Sequence, residues 1–272
     1  MNLAPTRLAL ILAGLLAATA AVAGQREDVR ADDASRVVKQ IQSIPESAIP
    51  DRLLDDAKAI VVVPDTIKAG FMFGGRRGLG LMSVKSADGT WSNPVFVKLA
   101  GASFGLQAGV QSADVILVFR SERGVDSIVN GKITLGADAG IAAGPVGRNA
   151  SAATDGELKA EIWSWSRARG LFAGVALDGA VLSIDNGANR TAYGEGTTPR
   201  AVFEGRAPGP ASAAITAFRD VLEEATAAAR QARGGKPAPV ANAAPASEGV
   251  QVQALPSDNP ATTTPLPSAT KP

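Results

Sequence analysis

From Lys68 to Ile184 the chain is a succession of short apolar or alternating runs: FMF, LGLMSV, PVFVKL, SFGLQAGV, DVILVF, KITLGA, LKAEIWSW and LFAGVALDGAVLSI. Runs of this length and alternation read as strands, and no long helix-period pattern separates them. Consecutive strands without intervening long helices pair antiparallel, and the frequent glycines permit bulges and close strand crossings. SADGT (86–90) and Gly187 read as turns, and SERGVDSIVNG as one short helix ended by Gly131. Helices flank this region. Val37, Val38, Ile41 and Ile44 share one helical face ahead of Pro45. A second short helix follows Pro50, and AIVVVP (59–64) is a buried strand. Ile215, Phe218, Val221, Leu222 and Ala225 form the apolar stripe of a terminal helix over 210–233. The expected fold class is α+β: a strongly coiled, partly closed antiparallel β-sheet of many short Gly-rich strands with N-terminal helices and a C-terminal helix.

The two ends are of another character. Arg7, the uncharged run LALILAGLLAA (8–18) and Ala21-Val22-Ala23 have the order of a signal peptide over 1–23, cleaved near Ala23-Gly24. The apolar run is short for a hydrocarbon core about 30 Å thick. An exported protein is therefore expected, in the periplasm or associated with an envelope membrane. The folded domain is expected over 24–205, including the N-terminal amphipathic helix, and the C-terminal helix over 206–233. The Pro/Ala/Thr/Ser-rich tail over 234–272 has too few large apolar residues to offset ordering entropy and is expected to be disordered.

Composition excludes several chemistries. The 272 residues include no cysteine and no histidine, which removes thiolate nucleophiles, disulfides, imidazole bases and the commonest transition-metal ligands. A net charge of +1 and 4% aromatics supply neither a global field nor stacking platforms for nucleic acid. GASFG (101–105) fits the G-x-S-x-G pattern, but it sits in a β run and lacks a histidine partner. Asp114, Asp138, Asp155, Glu157, Glu161, Asp178 and Asp185 show no spacing that selects an acid–base pair. Trp163 and Trp165 share one face of a strand, as many sheet-surface aromatics do, and core packing or turn formation accounts for most of these residues. No enzyme activity, metal or cofactor is expected.

The stretch GFMFGGRRGLGLM (70–82) is glycine-rich and basic, yet matches neither phosphate-binding fingerprint and does not open a helix. It reads as a β-hairpin with arms FMF and LGLM and a turn over Gly74–Gly78. That arrangement displays Arg76 and Arg77 at a tip, either as a solvated loop or as an anion-recognising pair.

Taken in order, AKAIVVVP, KAGFMFGGRRGLGLM, GTWSNPVFVKLAGASFGLQAG, SADVILVF, ITLGADAGIAAGPVGR, SRARGLFAGVALDGAVL and NRTAYG resemble the SYLF domain family over Ser35–Gly194. The resemblance implies a non-enzymatic lipid-binding module. Eukaryotic members bind phosphoinositides, some bind actin, and bacterial members are exported envelope proteins. It also implies that the amphipathic helix over 28–44 and nearby basic residues meet the membrane. On this reading Arg36, Lys39, Lys68, Arg76 and Arg77 are candidate headgroup-binding residues, and Val37, Val38 and Ile41 the candidate membrane-contact face. Arg148, Arg167 and Arg169 lie in matching segments too. From the residues alone, the same helix could instead dock on the sheet. The expected partner is an anionic lipid or membrane surface, with no nucleic acid. The alternative is a protein-interaction or structural module with an envelope protein partner.

Overall fold

The computed structural model describes residues 5–44, 48–145, 160–168, 171–175 and 177–234. The expected disordered tail beyond Gly234 lies outside these residues, as do Arg148, Asp155, Glu157 and Arg169.

The chain opens with α1 (Pro5–Gln42), whose Ala31, Ala34, Val37, Val38 and Ile41 fall on one stripe and are buried. The expected signal segment forms the beginning of this same helix. Among the described residues, no helix is long and apolar enough to cross a membrane. Pro50 leads into α2 (Asp51–Asp56), which buries Leu53 and Leu54.

Two long strands form the body of the sheet. β1 (Ala59–Val84) and β2 (Val95–Phe119) pair antiparallel from Ala59↔Phe119 to Met82↔Val95. Between them they absorb AIVVVP, FMF, LGLMSV, PVFVKL, SFGLQAGV and DVILVF, each expected as a separate short strand. The hairpin expected within 70–82 is therefore not formed: Gly74, Gly75 and Arg76 continue β1 opposite Ser103, Ala102 and Gly101. The true turn is SADGT, where Gly89 takes φ 86° and Lys85 bridges to Trp91. The local glycine signal misleads because glycine serves a chain crossing here as readily as a turn.

A straight strand of β1's length would run about 80 Å, roughly twice the width of a domain of this size. The pair bends instead, with register shifts between Val63 and Thr66 and between Gly70 and Met72. At the first shift Asp65 adopts φ 45°. The bend brings the two halves of β1 together, so a Cβ on Gly80 would lie 2.2 Å from the Val62 carbonyl oxygen.

The remaining strands fill the other edge of β2. β7 (Val181–Ile184) pairs with its first half and β5 (Ile162–Ala168) with its second. β3 (Lys132–Thr134) extends β7, while β6 (Leu171–Gly174) and β4 (Ile141–Ala143) flank β5. The result is a seven-stranded, strongly curled sheet in an α+β fold. Among the described strands, every pairing is antiparallel except β4 with β5.

Short helices connect and cover the sheet. α3 (Glu122–Val129) starts on Ser121, whose hydroxyl accepts from the Gly124 N–H. α4 (Asn186–Tyr193) contains Gly187, which the sequence alone suggests as a turn, and α5 (Pro199–Phe203) is capped by Thr198. The terminal helix α6 (Ala213–Gly234) buries Ile215, Phe218, Val221 and Leu222 and packs on α1 and α2.

Candidate functional site

The docking of α1 decides which expected contacts survive. Val37 and Ile41 are 0% exposed and Val38 is 3%. Their expected role as a membrane-contact face is thus excluded in this fold. Burying three branched apolar side chains against the sheet gains about 1.5–3 kcal/mol each, so the helix spends this stripe on the protein.

The middle of α1 builds something else. Gln25, Arg26, Val29, Arg30 and Asp33, one helical face, line a groove of about 790 Å³. Its other wall is β1, which contributes Pro64, Asp65 and Ile67 from around its first register shift and Arg77 and Leu79 from beyond the second. Only the crossing of β1 on itself puts residues ten positions or more apart side by side here.

The charges of the groove are unequally committed. Arg30 points inward: its Nη1 donates to Asp185 at 3.4 Å, and its guanidinium lies 5.3 Å from the centre of the Phe96 ring. Asp33 accepts from Arg36 at 2.8 Å. Asp65 donates its N–H to the Asp114 carboxylate at 3.0 Å, and its own carboxylate accepts from Ser112. Arg26 and Arg77 are exposed, and among the described residues no carboxylate lies within ion-pair distance of either. The apolar part of the groove is also open. Val29 is 60% and Ile67 52% exposed. With Val110, 75% exposed, they are the exposed large hydrophobic residues among the described ones. Ile67 pairs with Ser112 and Ala69 with Val110, so Ile67 and Val110 share one face of the hairpin.

The five cations singled out in the sequence are not one cluster. Arg77 lines the groove; Arg76, its neighbour in an extended strand, points to the opposite face, half-buried, with its pKa lowered by burial. Lys68 is half-buried opposite Gln111. Arg36 and Lys39 lie together further along α1, beside Ala217 of α6. Arg167 is not at the surface cluster at all, but holds the buried Asp114. Sequence reasoning missed Arg26, Val29, Ile67 and Val110, because no local pattern marks residues that meet only through a chain crossing.

Chemistry is committed elsewhere to structure. Ser103 of GASFG lies within β2, without the following helix of a nucleophile elbow. Asp138 accepts from the Thr134 N–H at 2.6 Å, and Trp163 and Trp165 are core. Asp185 caps α4 through the Ala188 N–H at 3.1 Å and binds Lys98 at 3.1 Å. Burial alone would raise its pKa, but the Ala188 N–H, Lys98 and Arg30 outweigh this and hold it below the ordinary 3.8. A depressed carboxylate stabilises the fold above its unfolded pKa and loses that contribution as pH falls through the folded value. Asp185→Asn should therefore cost about 1–2 kcal/mol at neutral pH. The deficit relative to wild type should shrink below pH 3.8, read from urea midpoints across a pH series.

Comparison with known proteins assigns the domain. Residues 100–225 match the family described as "Ysc84: Las17-binding protein actin regulator". Over 171 residues, 62% of this chain, it is 36% identical to Protein YSC84 of Saccharomyces cerevisiae, covering 36% of that protein. LAS seventeen-binding protein 3 of the same yeast is 35% identical over 70% of this chain and 42% of its own length. Human SH3 domain-containing YSC84-like protein 1 is 30% identical over 67% of this chain and 55% of its own length. The chain thus spans between about a third and just over half of these relatives. The matched residues run from within β2 to within α6, and this chain carries a SYLF (Ysc84) domain.

Proposed function

We propose that this protein is a non-enzymatic module that attaches peripherally to an anionic lipid surface through the groove face. The observation that carries this reading is the coincidence of open apolar side chains with uncommitted cations. Val29 and Ile67 line the same groove as Arg26 and Arg77, and Val110 lies beside Ile67 on the hairpin face. Shallow apolar insertion beside a few guanidinium groups is the chemistry of peripheral attachment, with each cation near an anionic surface contributing about 1 kcal/mol. Arg36 and Lys39 would add to the same field from further along α1, at lower weight because Asp33 engages Arg36. The order of the first 23 residues supports export and action at an envelope membrane surface.

Co-sedimentation with vesicles tests this. The protein should pellet with vesicles containing phosphatidylglycerol and not with pure phosphatidylcholine, and less so at higher salt. Arg26→Glu with Arg77→Glu should lower the bound fraction at least fivefold at unchanged thermal stability. Equal failure to bind either vesicle rejects the reading.

The second reading is protein binding. The family description names a Las17-binding actin regulator, and a yeast relative is named a LAS seventeen-binding protein. It predicts saturable capture of a defined protein partner, indifferent to vesicle charge.

A further inference from the structure

We propose that the groove between α1 and the bent β1 binds one molecule of a long-chain fatty acid, with its carboxylate held by Arg26 and Arg77. This goes beyond surface attachment, since the ligand is a single molecule taken up in solution and needs no bilayer.

Size is the first argument. The groove measures about 790 Å³, inside the range of small-ligand pockets, about 300–1,000 Å³. At roughly 30 Å³ for each water-sized unit, that is room for one chain of about sixteen to eighteen carbons with its head. Lining is the second. Val29, Pro64, Ile67 and Leu79 supply apolar walls, and Val29 and Ile67 remain more than half exposed although the groove is concave. A bare phosphate or headgroup would use the cations and leave these side chains unexplained; an aliphatic chain covers them.

Charge is the third. A guanidinium matches a carboxylate in two parallel hydrogen bonds. Among the described residues no carboxylate holds Arg26 or Arg77 in an ion pair, whereas Arg30 is tied to Asp185. Asp33 and Asp65, on the same walls, disfavour a second anion and point to one head per groove.

Fluorescence titration of the purified protein with cis-parinaric acid, without vesicles, tests the proposal. Saturable binding at one probe per chain is expected, displaced by oleate. Methyl oleate, which lacks the charge, should displace at least tenfold more weakly. Arg77→Met should weaken probe binding about tenfold. Val29→Trp, at an exposed helix position, should fill the groove and abolish binding while circular dichroism and melting stay as in wild type. No saturable binding, equal displacement by methyl oleate, or wild-type binding by both variants would each overturn it. Vesicle sedimentation without probe uptake rejects this inference alone; probe uptake without sedimentation rejects only the surface-attachment reading.

Discussion

Gly80→Val is expected to abolish the fold: little soluble protein, and no cooperative melting in what is recovered. The Cβ of any side chain at Gly80 would stand 2.2 Å from the Val62 carbonyl oxygen and 2.9 Å from the Val63 Cα. Both are backbone atoms of a strand whose neighbours are fully buried, so neither can give way. Relief requires the two halves of β1 to separate, which opens the core between Val61–Val63 and Leu81–Met82. Losses of more than about 4 kcal/mol come from such forced rearrangements. Even Gly80→Ala should lower the melting temperature by more than about 8 °C. Gly75 is the internal control. It lies in the same glycine-rich stretch of β1, but a Cβ there meets nothing within 4 Å. Gly75→Ala should be neutral or slightly stabilising, because it removes unfolded-state freedom without a clash. If both alanine variants melt alike, β1 does not cross itself as described.

That pair of glycines also shows where the sequence was legible. Local rules read the elements whose cause is local. The stripe of α1, the helix beginning at Ser121, the SADGT turn and the apolar stripe of α6 all follow from residues within a few positions of each other. The same rules divide β1 and β2 into short pieces, because a glycine that ends a strand and one that lets a strand pass over another look identical in one dimension. They also place Arg76 and Arg77 together at a tip, when extended backbone sends them to opposite faces. The seven motifs taken in order carry the family, since their order is a property of the whole chain. The groove was not legible: its two walls come from α1 and from both sides of a bend, and its open apolar residues are single, unpatterned side chains. Val37, Val38 and Ile41 show the converse error. An amphipathic stripe says that a helix has an apolar face and not what covers it.

Asp114→Ala is expected to cost about 3–5 kcal/mol. Asp114 of β2 is 3% exposed. Its carboxylate accepts from Arg167 Nε at 2.7 Å and from Arg167 Nη2, and it receives the Asp65 N–H at 3.0 Å. Arg167 in turn reaches Gln40 of α1 and lies 5.4 Å from the centre of the Phe172 ring. Removing the carboxylate leaves a largely buried guanidinium without its counter-charge and the Asp65 amide without its acceptor. Asp114→Ala combined with Arg167→Met should recover part of the loss, because an apolar pair removes the stranded charge. It should not recover all of it, since the Asp65 N–H remains unpaired at about 1–3 kcal/mol. Urea midpoints of the two single variants and the double variant measure this directly. A loss under about 1 kcal/mol for Asp114→Ala would mean that water screens the pair as it screens surface ion pairs. The same contact fixes Asp65 at φ 45° beside Pro64 and Ile67, the β1 wall of the groove. Loosening that bulge moves the wall, so Asp114→Ala should weaken vesicle and fatty-acid binding even at temperatures where the domain remains folded.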